Sequence, residues 1–218
     1  MKRFIYALSV ALSFALIAAS CAPNTGSDEG TSDTEEVKGE NCYYVFNADS
    51  TNMTWTGYKF TEKVGVSGTF TEIITANIQN SPSIIDAVAN AEFKIPITSV
   101  ESNNEDRNKK IIDYFFGSIN TEVIYGRVAG LSGTEESGQA EIIINMNNQD
   151  VQVFMPYTFQ DGILNMSAVI DIFEWNGQMG VERLNEACYD LHKSADGVSK
   201  LWPDVKIELN AVFDTVCE

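Results

Sequence analysis

The 218-residue chain contains one histidine, and only 14 Lys and Arg residues stand against 31 Asp and Glu. Each shortage removes a class of function. His192 alone, with scattered cysteines, cannot supply the several His or Cys ligands that zinc requires. Asp190, His192 and Ser194 are close in sequence, but the members of a hydrolytic triad normally converge from separate elements around an oxyanion site. Asp190, His192 and Asp196 read instead as a solvated loop. The formal net charge of −17 argues against nucleic acid, whose phosphates require clustered Lys and Arg. It argues equally against charge-driven binding to an anionic membrane surface, and fits an exported protein kept soluble by its acidity. Glycine-rich phosphate-binding signatures are absent. No apolar stretch beyond the N-terminal region is long enough to span a bilayer.

What the N-terminus does contain is a targeting signal. Lys2 and Arg3 form a positive n-region, and Phe4 to Ile17 is apolar apart from Ser9 and Ser13. That length suits a secretory h-region better than a membrane span. Ile17-Ala-Ala-Ser-Cys21 follows and resembles the bacterial lipoprotein signal, in which the cysteine is lipidated and becomes the mature N-terminus. Ala18 stands where such signals usually carry Leu, and an ordinary signal peptide is the alternative. Residues 1–20 are therefore expected to be removed, which takes away two positive charges and moves −17 to −19. Lipidated Cys21 is expected to hold the protein in the bacterial cell envelope, in the outer membrane, facing the periplasm or the cell surface. Residues 21–41 are acidic, with almost nothing apolar to bury, and read as a disordered tether. The folded domain is expected over residues 42–218.

Three cysteines remain, Cys42, Cys188 and Cys217. Export permits a disulfide, and the odd number leaves one thiol over. Cys42 opens the first strand and Cys217 ends the last. If the sheet closes on itself these positions become antiparallel neighbours, which favours the pair Cys42–Cys217 and leaves Cys188 buried or free.

From Cys42 onward the apolar pattern has period two. Cys42, Tyr44 and Phe46 share a phase, and Met53 to Phe60 is either a second strand or a continuation of the first. Val64 to Phe70 carries glycines where a strongly bent strand needs them. Ser81 is expected to cap a short helix with Pro82 at its first position. Ala91, Phe93, Ile95 and Ile97 alternate with polar residues, and Pro96 on the polar phase implies a bulge or an edge. Later strands alternate at Val123 to Val128, Ile142 to Met146, Val151 to Phe159, Leu164 to Ile172 and Val205 to Phe213. Asn147-Asn-Gln-Asp150 and Asp161-Gly162 read as hairpin turns. Val181, Leu184 and Cys188 fall on one face of a helix over 182–190. Trp202-Pro203 reads as an anchor where the last strand begins. About eight one-sided strands must bury their apolar faces in a sandwich or a barrel, and an eight-stranded barrel can be filled by side chains or hold one small ligand.

The segment 97–116 departs from this pattern. Ser102-Asn-Asn-Glu105 reads as a capping box, Glu105 and Asp106 sit well at the positive end of the helix dipole, and Gly117 is expected to stop the helix. The helix is charged at first and ends in Ile111, Ile112, Tyr114, Phe115 and Phe116. Arg107 is the basic residue to test as a headgroup contact, with a surface ion pair as the alternative.

Three stretches resemble the YceI-like domain family: Tyr44 to Tyr58, Val64 to Phe70 and, most specifically, Ser99 to Phe116. The likeness runs in order from about residue 43 to 175 and returns in the final strand. Asn145-Met-Asn-Asn-Gln-Asp150 departs from the family's usual threonine-glycine hairpin, and residues 186–203 have no match. The resemblance implies a mainly β, antiparallel lipocalin-like β-barrel of about eight strands, with a few short helices, one at the barrel mouth. It further implies an apolar small-molecule partner, a polyisoprenoid or isoprenoid quinone, bound non-covalently without catalysis. Tyr58, Phe60, Phe93, Ile95, Ile111, Phe115, Phe116, Met166 and Ile170 are the expected cavity lining. The same apolar phases suit a packed core, so an interaction module with a filled barrel is the other reading.

Overall fold

The computed structural model describes residues 41–218; the targeting signal, Cys21 and the tether up to residue 40 lie outside them. The chain begins with β1 (Cys42–Lys59), β2 (Val64–Phe70), β3 (Ile74–Ala76), α1 (Ile84–Val88), β4 (Glu92–Pro96) and β5 (Val100–Glu101). Then come α2 (Glu105–Lys110), β6 (Val123–Gly133), β7 (Ser137–Met146), β8 (Gln149–Gln160), β9 (Ile163–Asp171), α3 (Gln178–Ala187) and β10 (Leu201–Cys217). The strands form one curled antiparallel sheet in the order β3-β4-β6-β7-β8-β9-β10-β1-β2-β5.

The ten segments act as eight staves. After a short break β3 continues β2, and β5 continues β4. These two broken strands pair with each other, Thr69 with Glu101 and Phe70 with Val100 on one side of the break, and Ile74 with Lys94 and Ala76 with Glu92 on the other. Between them the Thr71 N–H donates to the Ser99 carbonyl at 2.8 Å. The ends of the sheet therefore meet at an interrupted seam, and neither is left as a long unpaired edge.

From β6 to β9 the sheet is a meander driven by local turns, and a longer connection through α3 leads into β10. Asn147 and Asn148 both have positive φ, 52° and 55°, as do Asp161 and Gly162 at 53° and 77°. These are two-residue turns of the kind whose twist matches antiparallel strands. The first and last strands close the meander: β1 pairs with β10 from Cys42↔Cys217 to Lys59↔Leu201. A Cys42–Cys217 disulfide fastens that end, and Cys188 is a buried free thiol. β1 is one strand across the expected Asn47–Asn52 turn, which the sheet absorbs as a register shift.

Helix boundaries differ from the sequence expectations for identifiable reasons. Asn104, not Ser102, caps α2, its side chain accepting from the Arg107 N–H. Ser102 is buried and donates its hydroxyl to Asn108 Oδ1 at 2.6 Å, so no capping box forms. Gly117 does not end the helical run. The chain passes through a π-helical turn, Ile111–Phe115, and a 3₁₀ turn, Phe116–Ile119, and ends at Asn120 with φ 47°. Ser83 rather than Ser81 caps α1, because Ser81 is drawn into a bridge with Tyr44. Pro96 ends β4 rather than bulging it, and the next residues form a 3₁₀ turn.

The barrel interior is packed at one end. Tyr44 meets Phe159 edge-on at 4.9 Å, and Phe46 and Phe213 lie 5.5 Å apart. Ile84, Ala87 and Val88 of α1 are buried there in the same core. Glu135 holds α1 in place, accepting from Ser83 Oγ at 2.6 Å and the Ile84 N–H at 2.8 Å. Under α2 and α3 the interior is different.

Candidate functional site

The alternation that fills one end of the barrel leaves the other open. A cavity of about 560 Å³ lies between the strand interiors and the helical cover, within the ~300–1,000 Å³ typical of small-molecule sites. Its walls come from β1 (Met53, Trp55), β7 (Ile142, Ile144, Met146), β9 (Met166, Ile170) and β10 (Val205, Ile207, Leu209). Ile111, Phe115 and Phe116 cover it. Val205, Ile207 and Leu209 line the cavity and are only partly buried.

Aromatic rings shape the walls by lying on glycines. A Cβ at Gly68 would stand 2.3 Å from the Trp55 ring, and one at Gly126 only 1.9 Å from Phe93. Gly180 of α3 is likewise covered by Phe115, 2.8 Å from where a Cβ would be. Bare backbone at these points lets each ring approach its neighbouring element closely. Phe115 in turn packs edge-on against Phe116 at 4.8 Å.

Of the expected lining, Tyr58, Phe93, Ile95, Ile111, Phe115, Phe116, Met166 and Ile170 border the cavity, and Phe60 does not. A bulge explains the last. Gly57 pairs with Val205 but Lys59 pairs with Leu201, so the period-two alternation fails there. Gly57, Tyr58 and Lys59 all reach the cavity, while Phe60, at φ 64°, turns away. Its carbonyl accepts from Trp202 Nε1 at 2.7 Å, which makes Trp202 the anchor at the start of β10.

The rim is polar. Lys59, Asn104, Asp106, Arg107, Lys110 and His192 border the opening together with Leu191 and Trp202. Arg107 is in no ion pair among the described residues, contrary to the surface-pair alternative; its Nη1 donates to the Ser102 carbonyl at 3.4 Å. His192 is buried, at 8% exposure, rather than lying in a solvated loop. Asn185 Nδ2 donates to the Ser199 carbonyl, so Asn185 Oδ1 accepts from His192 Nδ1 at 2.9 Å. Burial lowers the imidazole to about 4, aided by Lys59 and Lys110, and His192 is neutral at pH 7. Burial also pushes the Cys188 thiol up, opposed by Lys110, Lys59 and Arg107. Ser194 is committed elsewhere, donating to Glu62 Oε2. Among the described residues no three His, Cys, Asp or Glu side chains gather as a metal site.

Sequence reasoning missed Lys59, Lys110, Cys188 and His192 as neighbours of the cavity. The first is exposed by the β1 bulge, and the last two by the fold of residues 186–203, the segment whose resemblance could not be traced in the sequence. Periodicity carries no signal for either.

A curled antiparallel sheet with a covered apolar interior defines a lipocalin-like barrel. The YceI-like domain model matches residues 44–213, and the chain belongs to that family. Two solved structures share the fold. A polyisoprenoid binding domain from Saccharophagus degradans, implicated in plant cell wall breakdown, is 14% identical with a TM-score of 0.55, covering 80% of this chain and 98% of that one. BcnA of Burkholderia cenocepacia is 11% identical with a TM-score of 0.57, covering 79% and 99%. No curated protein matches the chain in sequence.

Proposed function

We propose that this protein binds a long apolar ligand, of polyisoprenoid or isoprenoid-quinone type, non-covalently inside the barrel. The observation that carries the reading is the open cavity of about 560 Å³ under the π-helical turn, walled by Met, Ile, Leu, Val and aromatic side chains. A filled barrel serving only as an interaction module would bury Val205, Ile207 and Leu209 fully. The S. degradans domain that shares this fold is a polyisoprenoid binding domain, which supports the same ligand class. The role is carrying rather than catalysis: Ser194 donates to Glu62 and not to His192, so the nucleophile–base pair of a hydrolytic site is not formed.

The protein acts, in this reading, as an exported lipoprotein anchored through Cys21 and facing the periplasm or cell surface, with residues 22–41 as its tether. The n-region, h-region and Cys21 of the sequence support it. Two measurements test the proposal. Mass spectrometry of organic extracts from the purified folded protein should find a stoichiometric isoprenoid; an extract without any apolar molecule, together with no uptake of added geranylgeraniol, sinks the ligand reading. Metabolic labelling with palmitate should be lost in Cys21→Ser, and labelling that persists refutes the anchor.

A further inference from the structure

Three of the chain's 14 Lys and Arg residues, Lys59, Arg107 and Lys110, stand on the rim of the apolar cavity. In a protein of net charge −17 this grouping runs against the general distribution. They reach the rim from different places: Lys59 through the bulge that ends β1, Arg107 and Lys110 from one face of α2, three residues apart. Among the described residues the only carboxylate bordering the cavity is Asp106, so the rim they form is cationic by three to one. None of the three cations is in an ion pair among the described residues. Lys59 Nζ donates to the Leu191 carbonyl at 3.1 Å and Arg107 spends one long bond on Ser102. An ammonium has three donors and a guanidinium five, so most of their capacity is unspent. All three are half-buried, next to an apolar interior that screens charge poorly.

We propose that the ligand carries an anionic headgroup, a phosphate or a carboxylate, seated at the rim among Lys59, Arg107 and Lys110. The chain of the amphiphile lies inward against Met, Ile and Phe, and its charged end faces out between the bulge and α2. The convergence of the three charges is also felt by their neighbours, since all three pull the Cys188 thiol down against its burial and two depress His192. An anion among them would offset that repulsion, and the cations provide the strong, charge-assisted bonds that such a headgroup takes. A neutral quinone or alcohol leaves the same donors without a charged partner, so the rim selects by headgroup while the cavity selects by tail.

The inference rests on the apolar-ligand reading, and the test separates the two. Purified ligand-depleted protein is titrated with geranylgeranyl phosphate and geranylgeraniol, which share a tail, and with palmitate and hexadecan-1-ol, which share another. Each anion should bind at least about tenfold more tightly than its alcohol, the yield of one charge-assisted bond, and the gap should narrow as salt is raised. The tighter of phosphate and carboxylate identifies the headgroup. In Lys59→Gln/Arg107→Gln/Lys110→Gln the preference for anion over alcohol should disappear within each pair, and a preference that persists overturns the headgroup. The far-ultraviolet circular dichroism of the variant, matched to the wild type, shows that it has kept its fold. Equal affinity of anion and alcohol for the wild type overturns the headgroup and leaves the apolar site standing. Absence of binding by all four overturns both.

Discussion

His192 supplies the most direct check on how the cavity end of the barrel is built. It is buried against Asn185 and beside the rim lysines, and its imidazole is lowered to about 4. An unfolded chain protonates the same group near 6.5. Between those values the unfolded state holds the extra proton, so falling pH favours unfolding. The contribution is fully present above about pH 6.5, declines as the pH falls toward 4, and levels off below. The whole gap corresponds to roughly 3 kcal/mol, and at pH 5 about 2 kcal/mol should already be lost relative to pH 8. With a urea slope of ~1–3 kcal/mol/M, the midpoint should move down by about 1 M. His192→Gln keeps an amide N–H to offer Asn185 and has nothing to titrate, so this component of the pH dependence should vanish while that of the carboxylates remains. Because the chain has a single histidine, its imidazole resonances need no assignment. A folded-state titration near 6.5 by NMR, or an unchanged pH slope in the variant, would refute the account.

Three further outcomes follow from particular contacts. The Cys42–Cys217 bond spans 175 residues, for which chain entropy gives a ceiling of about 5 kcal/mol; Cys42→Ser/Cys217→Ser should lose ~2–5 kcal/mol in urea denaturation, and a loss under ~1 kcal/mol contradicts the loop-closure argument. Gly126→Ala would place a Cβ 1.9 Å from Phe93, driving the ring toward the cavity at a cost of ~1–3 kcal/mol and weakening binding of added geranylgeraniol; Gly126→Ala/Phe93→Ala should restore the binding, and failure to do so shows that the ring is not the obstacle. Trp175 has 0% exposure and donates Nε1–H to the Ile144 carbonyl at 2.9 Å, so Trp175→Phe should cost ~1–3 kcal/mol in thermal unfolding, and an unchanged midpoint would show that the bond contributes nothing net.

Much of the fold was legible because local chemistry and the global pattern agreed. Asn147-Asn148 and Asp161-Gly162 dictate their turns, and the one-sided strands around them leave few ways to bury their apolar faces. Eight staves could be counted although ten segments exist, because the breaks after Phe70 and Pro96 interrupt hydrogen bonding without changing the path of the chain. Caps were less legible. Ser102, Ser81 and Gly117 all have the right local chemistry for helix ends, but tertiary demands moved the boundaries. Ser102 is needed by Asn108, Ser81 pairs with Tyr44, and α3 packs on the π-helical turn at Phe115 and holds it together past Gly117.

The cavity itself could not be read from alternation. A strand that faces a packed core and one that faces an open space have the same apolar phase, so Ile207 looks like Phe213 in sequence. They differ in the sum of volumes on opposing staves. At the α1 end, aromatic rings from β1, β8 and β10 reach one another across the barrel. At the other end the inward residues of the strands are mainly Met, Ile and Val, and two of the large rings there, Trp55 and Phe93, lie back on Gly68 and Gly126. An open interior of this kind requires both halves of each such pair, the ring and the bare backbone under it. The glycines of β2 and β6 are therefore as much a part of the site as the side chains that line it.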